Sequence, residues 1–325
     1  MIFSRCPLRV SLAGGSTDLQ SFIDRYGEGG VINFSPNIYT YIGLYEDKLG
    51  ENVQSENYVI NYSEKEVVSD VASIKNDVAR SVLEHFGCPP VTSWFTSDVY
   101  SAGSGLGSSS SYLNAYIGAV TTYSDISMSR FEICSLAHRL EQKFNPMTGL
   151  QDPFGCGIGG FNRMHFDKMG NVHVEKISDD LFKQFDLYLL HTGISRSSTA
   201  VLKTVDLEKC LPLLGVVDEM YDSIVNKKYG DFLRLINDGW IIKKATSSSI
   251  MSNDELTRID NALLEDRYVL AHRLLGAGNG GYFLLFVEKD FEISRISYKF
   301  KQKFLKINLC EDGIMSERVF NNDKV

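Results

Sequence analysis

"AGSGLGSSSS" (Ala102 to Ser111) sets three glycines and a run of four serines in the middle of an otherwise ordinary globular sequence. Bare backbone lets successive N–H groups close around an anion, and a helix that follows adds the positive end of its dipole, so phosphate is the first ligand class to consider. The competing reading is a flexible serine-glycine linker. Beyond the loop, Leu113, Tyr116, Ile117 and Val120 recur at helical spacing, and the segment from Trp94 to Tyr100 before it reads as a strand. A linker would not be placed at a strand-to-helix junction. No lysine follows the last glycine, so the stretch is not a Walker A sequence either.

The chain of 325 residues is long enough for one large domain or two that share a cleft, and 43% hydrophobic with 23% charged residues is a globular balance. A net charge of -8 argues against nucleic acid as a partner, because duplex binding rests on a basic face. Six scattered cysteines (Cys6, Cys88, Cys134, Cys156, Cys210, Cys310) form no CxxC pair and read as reduced thiols. The start, "MIFSRCPLRVSLAGG", has no apolar core of signal-peptide length, and runs such as "GYFLLFV" are too short to cross a bilayer. The expectation is a soluble cytoplasmic protein with no membrane partner.

Strand-like segments fill much of the first hundred residues: Leu8 to Ala13, Val31 to Phe34, Tyr39 to Tyr45, Tyr58 to Tyr62 and Trp94 to Tyr100. Ser129 with Glu132 makes a capping box that opens the helix "FEICSLAHRLEQKF". Strands follow around "FNRMHF", "NVHVEKI" and "FDLYLLHTG". From about Ser197 to Arg273 the pattern is helical, before "GAGNGG", the strand "YFLLFV" and a closing helix "FEISRISYKFKQKF". The change in period places a boundary near residue 183, giving domains 1–183 and 184–325.

Two stretches match G-x-G-x-x-G by letter, "GCGIGG" (Gly155 to Gly160) and "GAGNGG" (Gly276 to Gly281). A dinucleotide fingerprint follows a strand and opens a helix. The first match precedes a strand-like segment and the second runs helix, loop, strand, so neither supports a dehydrogenase.

"GSGLGSSSS" between a strand and a helix resembles the second signature of the superfamily of galactokinase, homoserine kinase, mevalonate kinase and phosphomevalonate kinase, the GHMP kinases. "PLRVSLAGGSTDL" is similar to its first motif and "LLGAGNGG" to its third, in the same order, so the resemblance spans nearly the whole chain. With "GLQDPFGCGIGGFN" and "HTGISRSS", these forms look most like the heptose phosphate kinase branch.

The resemblance implies ATP and Mg2+ as cofactors, and it assigns roles residue by residue. Gly103, Ser104, Gly105, Leu106, Gly107, Ser108 and Ser109 would cradle the phosphates, with Ser109 also reaching the metal; helix N-capping is the plainer role for these serines. Glu141 would be a magnesium ligand, against a flanking solvated carboxylate. Asp152 would be the catalytic base, although an aspartate before Pro153 equally suits a helix N-cap. Arg9 would stand by the transferred phosphoryl group, and strand alternation turns it away from the core built by Leu8, Val10 and Leu12. Gly14, Gly15 and Asp18 would bind the sugar, with Asp18 alternatively capping the helix "LQSFIDRY" that ends at Gly27; Gly276, Gly278 and Gly280 would close over substrate. Arg163 and Arg196 are candidates for a phosphate on the substrate, and the six histidines read as structural.

Several positions depart from the family pattern: Ser101 stands for a proline, Ser110 for an alanine, Ser16 and Asn279 for glycines, and Pro153 where a glutamine often follows the aspartate. The expected fold is α+β with two domains, a ribosomal-protein-like N-terminal one and a ferredoxin-like C-terminal one. The implied activity is ATP-dependent phosphorylation of a small phosphosugar, D-glycero-D-manno-heptose 7-phosphate, at its anomeric hydroxyl, feeding nucleotide-activated heptose synthesis. Another sugar of fucose or galactose type, or a non-catalytic sugar sensor, is the alternative; a homodimer is left open.

Overall fold

The computed structural model describes residues 1–46, 56–100, 103–194 and 198–319, and mixes helices and strands throughout, as an α+β fold does. The strands in chain order are β1 (Ile2–Pro7), β2 (Val10–Ala13), β3 (Glu28–Phe34), β4 (Tyr39–Tyr45), β5 (Tyr58–Asn61), β6 (Lys65–Val68) and β7 (Thr92–Ser97). They continue with β8 (Phe161–Asp167), β9 (Val172–Lys176), β10 (Phe185–His191), β11 (Ala271–Leu274), β12 (Tyr282–Glu288), β13 (Phe304–Ile307) and β14 (Met315–Arg318). Among the described residues they form three sheets, in the orders β14-β1-β4-β7-β5-β6, β2-β3-β8-β9 and β11-β12-β10-β13.

All described pairings are antiparallel except β5 with β7. A parallel pair needs a crossover, and the helix Asp77–Phe86 supplies it. Asn76 caps that helix by accepting from the Ala79 amide, and Gly87 ends it in the left-handed region at φ 56°. The helices Ser108–Tyr123 and Arg130–Glu141 pack over the same sheet, burying Leu113, Tyr116, Ile117, Leu136 and Leu140 against Ile42, Leu44 and Ile60. Ser129 and Glu132 form the expected capping box.

A second core joins the two smaller sheets. The helices Pro212–Val225 and Tyr229–Ala245 place Val217, Met220, Phe232 and Ile236 among Leu12, Ile32 and Phe34 on one side and Leu189, Leu284 and Phe286 on the other. Residues from both ends of the chain therefore share one apolar interior.

Four expected elements differ. The segment Leu8 to Ala13 is not one strand: β1 ends at Pro7, the chain changes sheets, and the amides of Leu8 and Arg9 bond to the carbonyls of Ile38 and Leu106. Alternation breaks at that switch, so Arg9 is buried rather than turned to an open face. Ala271–Leu274 closes the helical stretch as a strand, β11, because β12 offers it an edge. The closing helix shrinks to Ser294–Ser297; β10 has a second free edge that Phe304–Ile307 fills, and Met315–Arg318 returns to pair with β1. Lys303 and Lys306 flank or lie on that edge strand, where charge discourages further pairing. Strand β7 also stops at Ser97, since the Asp98 carboxylate accepts from the Tyr39 amide at 2.9 Å and from the Tyr41 hydroxyl at 3.1 Å. No helix among the described residues is long and apolar enough to cross a membrane.

Candidate active site

The sheet switch at Leu8 and Arg9 lies directly under the glycine loop. Through its amide Arg9 holds the Leu106 carbonyl at 3.0 Å, and its guanidinium donates to the Gly105 carbonyl. Gly105 has φ +77°, and a Cβ there would stand 2.5 Å from the Leu275 carbonyl oxygen, so only glycine lets the loop lie against the third glycine motif. Gly281 closes on the carbonyl of Ser104 in the same way. The two motifs, far apart in sequence, are packed backbone to backbone.

The helix beyond the loop starts at Ser108, with Gly107 at its N-cap. Its first amides have no intrahelical acceptor and carry the positive end of the dipole. Ser104 and Ser108 share a hydrogen bond between hydroxyls at 2.9 Å, and the Leu106 amide donates to Ser104 Oγ at 3.2 Å. The side chain of Leu106 is fully buried in the core, so only its backbone belongs to the loop's polar face.

Glu141 ends the helix Arg130–Glu141, and Asp152 lies in the first turn of the helix Gln151–Gly157. Leu150, not Asp152, is that helix's N-cap, so the capping role does not occupy the aspartate. Arg9 donates to Asp152 Oδ1 twice, from Nε at 2.9 Å and from NH2 at 2.7 Å. Burial opposes the charge on Arg9, and Asp152 more than restores it, so the guanidinium is held above its ordinary value.

Glu141 is only 2% exposed. Ser110 Oγ donates to Oε2, and the nearby Ser109 hydroxyl also favours the charged carboxylate. Burial pushes this carboxyl up from its usual range, while the serine hydroxyls pull the other way. Ser110, where the family pattern has alanine, is thus a partner that the motif comparison did not anticipate.

Asp18 is not a helix cap: Leu19 holds that position, and Asp18 Oδ2 instead accepts from the Gln151 amide at 3.1 Å. Its backbone carbonyl accepts from Leu150 at 3.1 Å, tying the first motif to the Asp152 helix. Burial and the nearby Asp152 charge raise the Asp18 carboxyl. Gly27 does end the preceding helix, at φ 100°.

A cavity of about 410 Å3 brings Arg9, Gly15, Asp18, Glu141 and Asp152 together with the phosphate loop. Gly103, Ser104, Gly105, Gly107, Ser108 and Ser109 line it, as does Gly276. Four expected residues are not in its lining. Gly14 packs against the Gly30 carbonyl, Leu106 faces the core, Gly278 packs on Ile250, and Gly280 lies further along the same loop. Arg163 is elsewhere, paired with Asp218 at 2.5 Å and stacked over Tyr221, and Arg196 lies outside the described residues.

Two buried cations in the cavity were not foreseen: Lys243, on the helix Tyr229–Ala245, and Arg273, on β11. Lys243 donates to Ser16 Oγ at 2.5 Å, and Ser16 holds φ +63° where the family has glycine. Their neighbours in sequence explain their aim. Lys244, His272 and the Trp240 indole all bond the buried Asp260, at 2.7, 2.9 and 2.8 Å, so adjacent residues face the cavity. Burial alone would raise Asp260, yet these donors hold it at about 2. A lysine pair beside a tryptophan and an arginine just before the third glycine motif were the available signals.

No group of three or more His, Cys, Asp or Glu suited to a metal occurs among the described residues. Magnesium does not require one: it commonly takes one or two carboxylates and completes its shell with phosphate oxygens and water. Glu141 fits that part, being a buried carboxylate beside the phosphate loop with no cationic partner among the described residues.

Residues 72–160 match the family model described as GHMP kinases N terminal domain. The chain is thus similar to the GHMP kinases. The chain is 26% identical over 343 residues to the D-glycero-alpha-D-manno-heptose 7-phosphate kinase of Campylobacter jejuni, covering 98% of this chain and 99% of that protein. It is 25% identical to the L-fucokinase/L-fucose-1-P guanylyltransferase of Bacteroides fragilis, covering 89% of this chain and 35% of that one. Its fold matches a D-glycero-D-manno-heptose 1-phosphate kinase from Bacteroides thetaiotaomicron with a TM-score of 0.78 at 20% identity, over 99% and 100% of the two chains.

Proposed function

We propose that this chain is a GHMP kinase that transfers the terminal phosphoryl group of ATP to the anomeric hydroxyl of D-glycero-D-manno-heptose 7-phosphate, giving the 1,7-bisphosphate. The observation that carries this reading is Asp152, with Oδ1 taken by Arg9 and the carboxylate facing a cavity that also holds the glycine loop and Asp18.

The donor's phosphates lie against the amides of Gly103 to Ser109 and the start of the following helix. Glu141 and Ser109 would hold magnesium, which would supply positive charge to the donor's phosphates. Asp18 holds acceptor hydroxyls. The acceptor hydroxyl gives its proton to Asp152 as its oxygen bonds to the terminal phosphorus; the bond from that phosphorus to the bridging oxygen breaks and ADP leaves. Arg9 offsets the charge that develops on the moving group. In this reading residues 1–183 hold most of the donor, and residues 184–325 complete the acceptor side through Lys243 and the third motif.

The heptose choice is supported by the relative that matches along nearly its whole length, whereas the fucokinase match covers about a third of that protein. Phosphorus NMR of the product tests it. A new anomeric phosphate beside the original 7-phosphate resonance supports the assignment, and phosphate appearing on any other carbon contradicts it.

A further inference from the structure

Arg273 is 4% exposed and lines the cavity from β11. One guanidinium nitrogen, NH1, donates to the Leu12 carbonyl, while Nε has no hydrogen-bond partner and no carboxylate pairs with the group among the described residues. Arg9 cannot relieve it, being itself a cation whose donors are committed to Asp152 and the Gly105 carbonyl. Burial first and the Arg9 charge second push Arg273 down to about 10. A desolvated cation beside a second cation is costly unless an anion completes it.

The position says which anion. Arg273 is two residues before Leu275, whose carbonyl lies against Gly105 of the phosphate loop. Arginine's planar fork matches two oxygens of a phosphate group. We propose that Arg273 is the counter-ion of a phosphate bound in this cavity, either the phosphoryl group in transfer or the phosphate that the acceptor carries. Only the origin of that phosphate rests on the kinase reading.

Arg273→Gln keeps a donor for the Leu12 carbonyl and removes the charge; Arg273→Lys keeps the charge and loses the fork. Binding of a non-hydrolysable ATP analogue with magnesium, and of heptose 7-phosphate against heptose, is measured by calorimetry, alongside ADP release. If the phosphoryl group in transfer is the ligand, R273Q lowers kcat about a hundredfold with either acceptor, and R273K recovers part of it. If the acceptor's phosphate is the ligand, R273Q weakens heptose 7-phosphate about tenfold or more while heptose itself is handled as by the wild type. A folded R273Q that binds and turns over every ligand like the wild type overturns the proposal.

Should R273Q not fold, the wild-type protein gives the answer. The Arg273 Nε–H resonance, assigned by its loss in R273K, shifts on adding the ATP analogue or heptose 7-phosphate; no shift with either overturns the proposal. Binding that depends on Arg273 in a wild type without kinase activity supports the phosphate site and contradicts the proposed function. Full activity together with an indifferent Arg273 does the reverse.

Discussion

Both Nε and NH2 of Arg9 donate to the same oxygen of Asp152, Oδ1, at 2.9 and 2.7 Å. Among the described residues no protein donor occupies Oδ2, and the Asp152 side chain keeps 30% exposure on the cavity side. One oxygen is thus fixed by a buried cation and the other is available to a ligand, which is the arrangement a positioned base needs. An ordinary surface ion pair would leave Arg9 in solvent, whereas its side chain is 6% exposed.

Asp152→Asn keeps the shape and removes the proton acceptor. Turnover is expected to fall roughly 10² to 10⁴-fold, with binding of an ATP analogue retained in a folded protein. Wild-type turnover in that variant would remove Asp152 from the chemistry.

Glu141→Gln separates function from stability. Burial raises this carboxyl in the folded state, so the folded protein holds the proton to higher pH than the unfolded chain does. Stability from this group is present below the unfolded value and is lost as pH rises through the raised folded one. The variant is therefore expected to melt higher than the wild type at neutral pH without ligands, while its magnesium requirement for activity rises by about tenfold or more. Calorimetry in chelator and a magnesium titration check the two halves, and an unchanged titration would rule out metal binding by Glu141.

Gly149 is needed for a neighbour. A Cβ at this position would overlap Asp18 Oδ2, although the backbone there is not left-handed. Gly149→Ala should displace the Asp18 carboxylate and lower kcat/KM for the sugar by up to about a hundredfold, with nucleotide affinity unaltered. Steady-state kinetics with each substrate varied in turn would show whether the loss falls on the sugar.

Asp260 positions rather than reacts. Removing it in Asp260→Ala leaves His272 and the Trp240 indole without their partner, at a cost on the order of 3 kcal/mol. Because the carboxyl is held at about 2 against an ordinary 3.8, its contribution is present above the ordinary value and is lost as pH falls toward about 2. The gap in melting temperature between wild type and Asp260→Asn should close over that acid range, and KM for the sugar should rise as Lys243 and Arg273 lose their aim. A constant gap down to pH 2 would exclude the titration.

What the sequence made legible was local. The phosphate loop, the capping box and the αL end at Gly27 depend on a few adjacent residues, and the strand before the loop with the helical period after it distinguishes a strand-to-helix cradle from a linker. Arg9, Glu141 and Asp152 were readable through their motifs, although the alternation used for Arg9 gave the wrong surroundings because the chain changes sheets at that residue. Lys243 and Arg273 had only their local neighbours as signals, and those do not aim them at the cavity, since each reaches it through helix and strand packing across more than two hundred residues of chain. The last strands were missed for the same reason: the edges of β10 and β1 that they fill do not exist until the sheets form.

The most direct test is ADP release by the purified protein with ATP and magnesium, comparing heptose 7-phosphate with heptose, fucose, galactose, mannose and homoserine. Strong turnover confined to heptose 7-phosphate is the expected result. Turnover on none of these acceptors, in a protein that binds ATP, would contradict the catalytic account.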